Sequence, residues 1–132
     1  MPRGLLCWRG MVLKAHAARL RVHELACELA ADAVRLARTF RGPGSFERGD
    51  QLVRATLSIC SNIAAACGRG TVPEFRQFLL YARGSAQEAV THLRVAAALD
   101  ATHQRAIVAL EGRVIVISKM IGRLHANPPP DR

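Results

Sequence analysis

Arg76, Arg83 and Arg94 stand 7 and 11 residues apart, and on an α-helix each step returns to within about 20° of the starting azimuth. Three guanidiniums on one helix face can grip phosphates, or can pair with carboxylates of another subunit. The plainer alternative is a solvated face. No aromatic residue interleaves with the three, which argues against stacking on single-stranded bases. A fourth arginine, Arg69, sits between glycines in Cys67-Gly68-Arg69-Gly70-Thr71, ahead of a predicted helix start where free amides and the helix dipole favour anions. This turn is not a nucleotide loop, because no Gly-Lys-Ser/Thr follows it and no strand precedes it. Its simpler role is a corner, with a glycine closing one helix and a threonine capping the next.

The remaining reactive side chains form no catalytic set. His16, His23, His92, His103 and His125 show neither His-x-x-x-His nor Glu-x-x-His spacing, so a helix-borne metal site has no support. Ser58 and Ser61 lack a glycine elbow and an ordered His and Asp. Glu24 and Glu28, flanked by arginines at helical spacing, read as solvated ion pairs. The chain is therefore expected not to be an enzyme, and to need no metal or cofactor. Cys7, Cys27, Cys60 and Cys67 contain no C-x-x-C pair. On one helix, seven residues place Cys60 and Cys67 about 10 Å apart along the axis, too far for a disulfide. Reduced thiols in the cytoplasm are the expectation.

The charge points to an anionic partner. Nineteen basic residues against 10 acidic ones give +9, and the sequence pI is near 10.9. RNA or DNA is the first partner to consider. All but Lys14 and Lys119 of the basic residues are arginine, a bias that a GC-rich genome would also produce. The excess leans toward the N-terminus, where residues 1–41 carry 8 basic and 3 acidic groups. No apolar run approaches the roughly 18 residues that would cross a bilayer, so no membrane association is expected. The opening MPRGLLCWRGM lacks the long apolar region of a signal peptide.

Four segments must position these groups. Half of the 132 residues are apolar but only 5% are aromatic, and the richness in alanine and leucine favours helices. The first stripe is Val22, Ala26, Leu29, Ala33, Leu36 and Phe40, closed by Gly42-Pro43-Gly44. The second is Leu52, Thr56, Ile59, Ile63 and Ala66, ending at Gly68. The third opens on Thr71-Val72-Pro73-Glu74, a capping box with proline in the first turn, so this helix is predicted to start at Val72. Its stripe is Phe75, Leu79, Ala82, Ala86, Ala89, Leu93 and Ala96. The fourth is Ile107, Leu110, Val114, Ile117, Ile121 and Leu124, ending before Asn127. Every stripe advances by threes and fours, one face per helix. Short connections force antiparallel neighbours. The expected fold is all-α, an antiparallel up-down four-helix bundle over residues 17–126, between an N-terminal extension (1–16) and a Pro-rich tail (127–132), both expected to be disordered. Gly84 interrupts the third helix at a cost of about 1 kcal/mol relative to alanine, and close helix packing is expected to compensate.

Residues 52–93 carry a denser pattern: Arg54, Ser58, Ile59, Asn62, Ile63, Ala64, Gly68, Arg69, Glu74, Phe75, Ala82, Arg83, Gly84 and Ser85. This spacing resembles the central motif of the small four-helix proteins encoded by intervening sequences in bacterial large-subunit ribosomal RNA genes. Leu20 to Leu29 is similar to that family's first helix, with His23 where tryptophan is usual, and the likeness covers residues 18 to about 125. It implies a cytoplasmic homopentamer with no established enzymatic activity and a suspected role in binding nucleic acid. More distant relatives act beside a reverse transcriptase in diversity-generating retroelements. Cys60, Ala65 and Ala66 depart from the family's Pro, Glu and Gly. With Ala65 in that place, this chain has no carboxylate there to meet Arg69. The rival reading is a structural bundle with no nucleic-acid role.

Oligomerisation has support from the residues too. Leu25, Val34, Val108, Ile115 and Val116 flank the first and fourth stripes and exceed what one small core needs. Residues 1–10 fit no helix pattern, so the start of the protein is expected to be Met11, or the segment to be an arm beginning at Met1.

Overall fold

The structure, a computed structural model, describes the backbone of residues 13–128 and the side chains from Arg21 onward. Among these residues it is all-α with no strand. The helices are α1 (Leu13–Ala37), α2 (Ser45–Cys67), α3 (Val72–Leu99) and α4 (Gln104–Ala126). α1 therefore reaches four residues into the segment read as an extension. The proposed arm, the choice between Met1 and Met11, Cys7 and the end of the tail lie outside the described residues.

The four stripes make the core. All of their residues are buried except Leu124, which is partly buried against it. Full burial of a leucine or isoleucine is worth about 1.5–3 kcal/mol, so Leu29, Leu52, Ile63, Leu79, Leu93 and Ile121, all nearly inaccessible, hold the helices together. Ala30, Ala55, Cys60, Cys67 and Ser85 are buried as well. They lie beside the stripes, where helices packed through alanine leave little room. α1 packs on α2, α2 on α3, α3 on α4, and α4 back on α1.

The corners follow from local chemistry. Gly42 and Gly44 have φ of +85° and +71°, left-handed conformations that cost other residues about 1–2 kcal/mol. Gly68 ends α2 as its C-cap, but with φ −85° any residue could adopt its backbone, and its amide donates to the carbonyls of Ala64 and Ala65 at 3.1 Å. Thr71 caps α3: its hydroxyl oxygen accepts from the Glu74 amide at 3.3 Å and its proton goes to the Glu74 carboxylate at 3.1 Å. Ahead of α4, Asp100 accepts from the amides of Thr102 and His103 and from His103 Nδ1 at 2.8 Å. The His103 contact holds its carboxyl below the ordinary range.

Gly84 departs from expectation. It is exposed, and a Cβ added there would meet nothing within 4 Å. Close packing inside the chain does not explain it. The tight position is Gly49, where a Cβ would lie 3.2 Å from that of Ala37 on α1.

Candidate functional site

The residues singled out by sequence fall on two different seams. On the α3–α4 side, Arg76 Nε donates to the backbone carbonyl of His125 at 3.1 Å. That carbonyl belongs to the last turn of α4, where carbonyls lack helical partners and a cation is favoured by the dipole. Arg94 Nε meets Glu111 Oε2 at 3.3 Å, with the arginine largely exposed. Between them Arg83 is exposed and makes no hydrogen bond or ion pair with the described residues. The 7- and 11-residue spacing thus brings Arg76 and Arg94 to the same neighbour, as the azimuth argument requires. Both are engaged within the chain through one Nε, so their terminal N–H groups keep most of their donor capacity.

The α2–α3 seam gathers the other motif residues. Ser85 donates to Ser58 Oγ at 2.8 Å, and the Asn62 amide donates to the same oxygen at 3.0 Å and to the Ser58 carbonyl at 2.9 Å. Ser85 Oγ also lies 3.1 Å from the Tyr81 carbonyl. A hydroxyl donates one proton, so Ser85 shares it between these two acceptors. This half-buried cluster pins the two helices in one register, a role for Ser58, Asn62 and Ser85 that needs no ligand. Arg54 is exposed on the same helix as Ser58.

Arg69 extends this seam at the corner. Its guanidinium carbon is 4.2 Å from the centroid of the Phe78 ring, a cation–π contact worth about 0.5–1 kcal/mol when exposed. Phe78 in turn meets Tyr81 edge to face, with centroids 5.4 Å apart. The aromatic neighbours that Arg76, Arg83 and Arg94 lack therefore belong to Arg69. Sequence reasoning missed this group, although Phe78, Tyr81 and Ser85 advance by three and four and so share a face.

Elsewhere, Asp32 on α1 accepts from Arg35 and from Arg113 on α4, both at 2.7 Å. The Arg113 hydrogen bond is the largest influence on its carboxyl and, against a smaller opposing effect of burial, holds it below the ordinary range. A cleft of about 600 Å³ between the end of α1 and the start of α2 is lined by Val34, Ala37, Arg41, Phe46, Gly49 and Val53, and none of the arginines above reaches it. No group of three or more His, Cys, Asp or Glu among the described residues could hold a metal ion. No described helix is long and apolar enough to cross a membrane.

No curated protein matches the chain. The model of one family does, the 23S rRNA-intervening sequence proteins, over residues 18–123. That span includes all four stripes up to Ile121, the α2–α3 seam, the Arg94–Glu111 pair and the Gly68-Arg69-Gly70 corner. With this match over most of its length, the chain belongs to the 23S rRNA-intervening sequence protein family.

Proposed function

We propose that the chain is a non-enzymatic, cytoplasmic module that folds as an antiparallel up-down four-helix bundle, assembles with itself as a homopentamer, and binds RNA or DNA. Support for the antiparallel arrangement comes from α3 and α4, where Arg76 near the start of one pairs with His125 near the end of the other, and Arg94 with Glu111 in the reverse sense. A reverse transcriptase working on the same nucleic acid is the protein partner this reading admits.

The observation that carries self-association is apolar surface on α3 and α4. Leu80, Tyr81, Val95, Leu99, Val108 and Val116 are each at least 41% exposed, large apolar side chains that a second copy would cover. None of this surplus is on α1, whose Leu25 and Val34 are partly covered, and α2 adds exposed Phe46 and Leu57. Gly84, with open space above it, lets a second copy approach α3 closely. The net charge of +9 supplies the attraction for a polyanion.

The internal contacts of Arg76 and Arg94 favour the rival, a purely structural assembly. Replacing Arg76, Arg83 and Arg94 together by Gln separates the two. If the stripe meets phosphates, binding to unrelated sequences weakens alike and the salt slope flattens by up to about three ion-release units, roughly 0.9 per duplex phosphate contact, while the mass in light scattering stays the same. If the variant releases monomers, the stripe is an interface. Unchanged mass with unchanged affinity removes the stripe from any functional role.

A further inference from the structure

Two cysteines that the proposed function does not use face each other across α1 and α2. The register is set at the other end of the helix pair, where Gly49 abuts Ala37 and Val34 and Val53 line one cleft. From there the α1 face runs back through Ala37, Val34, Ala30 and Cys27, and the α2 face runs forward through Gly49, Val53, Thr56 and Cys60. Both advance in threes and fours. Ten residues on one helix against eleven on the other leave Cys27 and Cys60 level to within about 1.5 Å of rise. Besides burial, the Cys27 sulfur is close enough to push the Cys60 thiol up from its ordinary value. Cys60 is buried and donates to the Leu57 carbonyl at 3.1 Å, whereas Cys27 is exposed. One turn before Cys27, the His23 ring places its nitrogens 3.7 and 3.9 Å from the Cys27 sulfur.

We propose that Cys27 and Cys60 are a peroxide-oxidised thiol pair that closes to a disulfide between α1 and α2. The exposed sulfur reacts first: Cys27 attacks hydrogen peroxide, its S–O bond forms as the O–O bond breaks, and the thiol proton, received by His23, leaves with hydroxide as water. Cys27 is then a sulfenic acid. The Cys60 sulfur attacks it, forming S–S and breaking S–O, and the Cys60 proton departs with that hydroxyl as a second water. Two thiols have given two electrons to one peroxide. Burial pushes the Cys60 thiol up from its ordinary value, and the Cys27 sulfur adds to this, which keeps Cys60 protonated and makes it the resolving member. Cys67, although on the same helix, lies about 10 Å further along it and is not in position to substitute.

The pair is tested on the purified full chain treated with hydrogen peroxide and digested with trypsin without reduction. The expected product joins peptide 22–35, VHELACELAADAVR, to peptide 55–69, ATLSICSNIAAACGR, in an intact chain lighter by the mass of two hydrogens. Fragmentation places the bond at Cys60. The cross-link survives Cys67→Ser, disappears in Cys27→Ser and Cys60→Ser, and reverses with a thiol reductant. In Cys60→Ser, Cys27 is trapped as sulfenic acid by dimedone. Because the decisive reading is taken on the unmutated protein, folding of the variants does not decide it. A linkage through Cys67 or Cys7, or oxidation of Cys27 to sulfinic acid with Cys60 still free, overturns the proposal.

Discussion

Gly84→Ala isolates what surrounds α3. In the single chain the added methyl meets nothing within 4 Å, so no contact is lost and no neighbour must move. What remains is backbone entropy: alanine is favoured over glycine in a helix interior by about 1 kcal/mol. The variant monomer should therefore be more stable by about that amount, a rise of roughly 3–5 °C in Tm for a chain of this size. Assembly should respond in the opposite direction. A partner helix that uses the open space is displaced by the methyl, and a loss of about 1.4 kcal/mol per contact weakens association tenfold. Urea unfolding followed by circular dichroism, at dilutions where light scattering gives the monomer mass, measures the first effect. Light scattering across a dilution series measures the second. A less stable monomer would refute the open-space reasoning, and a dilution curve identical to that of the unmutated protein would remove Gly84 from the interface.

Two other substitutions test contacts inside the chain. Gly49→Ala should destabilise despite alanine's better propensity, because its Cβ comes 3.2 Å from that of Ala37 and overpacking costs about 1–3 kcal/mol; adding Ala37→Gly should recover part of the loss in urea unfolding. Asp32→Asn removes two exposed ion pairs, each worth about 0.2–1 kcal/mol, and its effect should depend on pH. Asp32's carboxyl is lowered in the folded state, chiefly by Arg113, so its stabilisation is present above the unfolded carboxyl's value and is lost as pH falls through the folded one. Unfolding curves of variant and unmutated protein should differ at neutral pH and converge in acid; an equal difference at both would contradict the assignment.

The helices could be read from the chain because each buries one face, and a face leaves a three-and-four spacing whatever its partner. Thr71 and Glu74 marked the start of α3 for a similar reason, since capping is settled within one turn. What lay beyond reach depended on neighbouring helices. The azimuth of Gly84 was computable, but not the empty space above it. Arg76 finds a backbone carbonyl 49 residues away, and a carbonyl has no signature in the sequence. Cys27 and Cys60 looked unrelated because their opposition is set by the Ala37–Gly49 contact, a matter of register. Asn62 and Ser85 were singled out through resemblance alone, Ser58 also as a nucleophile that lacked its partners, and only the packing of α2 on α3 explains why two serines and an asparagine belong together.

The central claim, that this basic four-helix protein binds nucleic acid, is tested most directly by fluorescence anisotropy with one labelled RNA and one labelled duplex DNA over a series of salt concentrations. With a net charge of +9, log K should fall steeply against log salt, by about 0.9 for each duplex phosphate neutralised and about 0.7 for single strands. An anisotropy that does not rise at low salt with either probe, on protein shown to be helical and assembled, would contradict it.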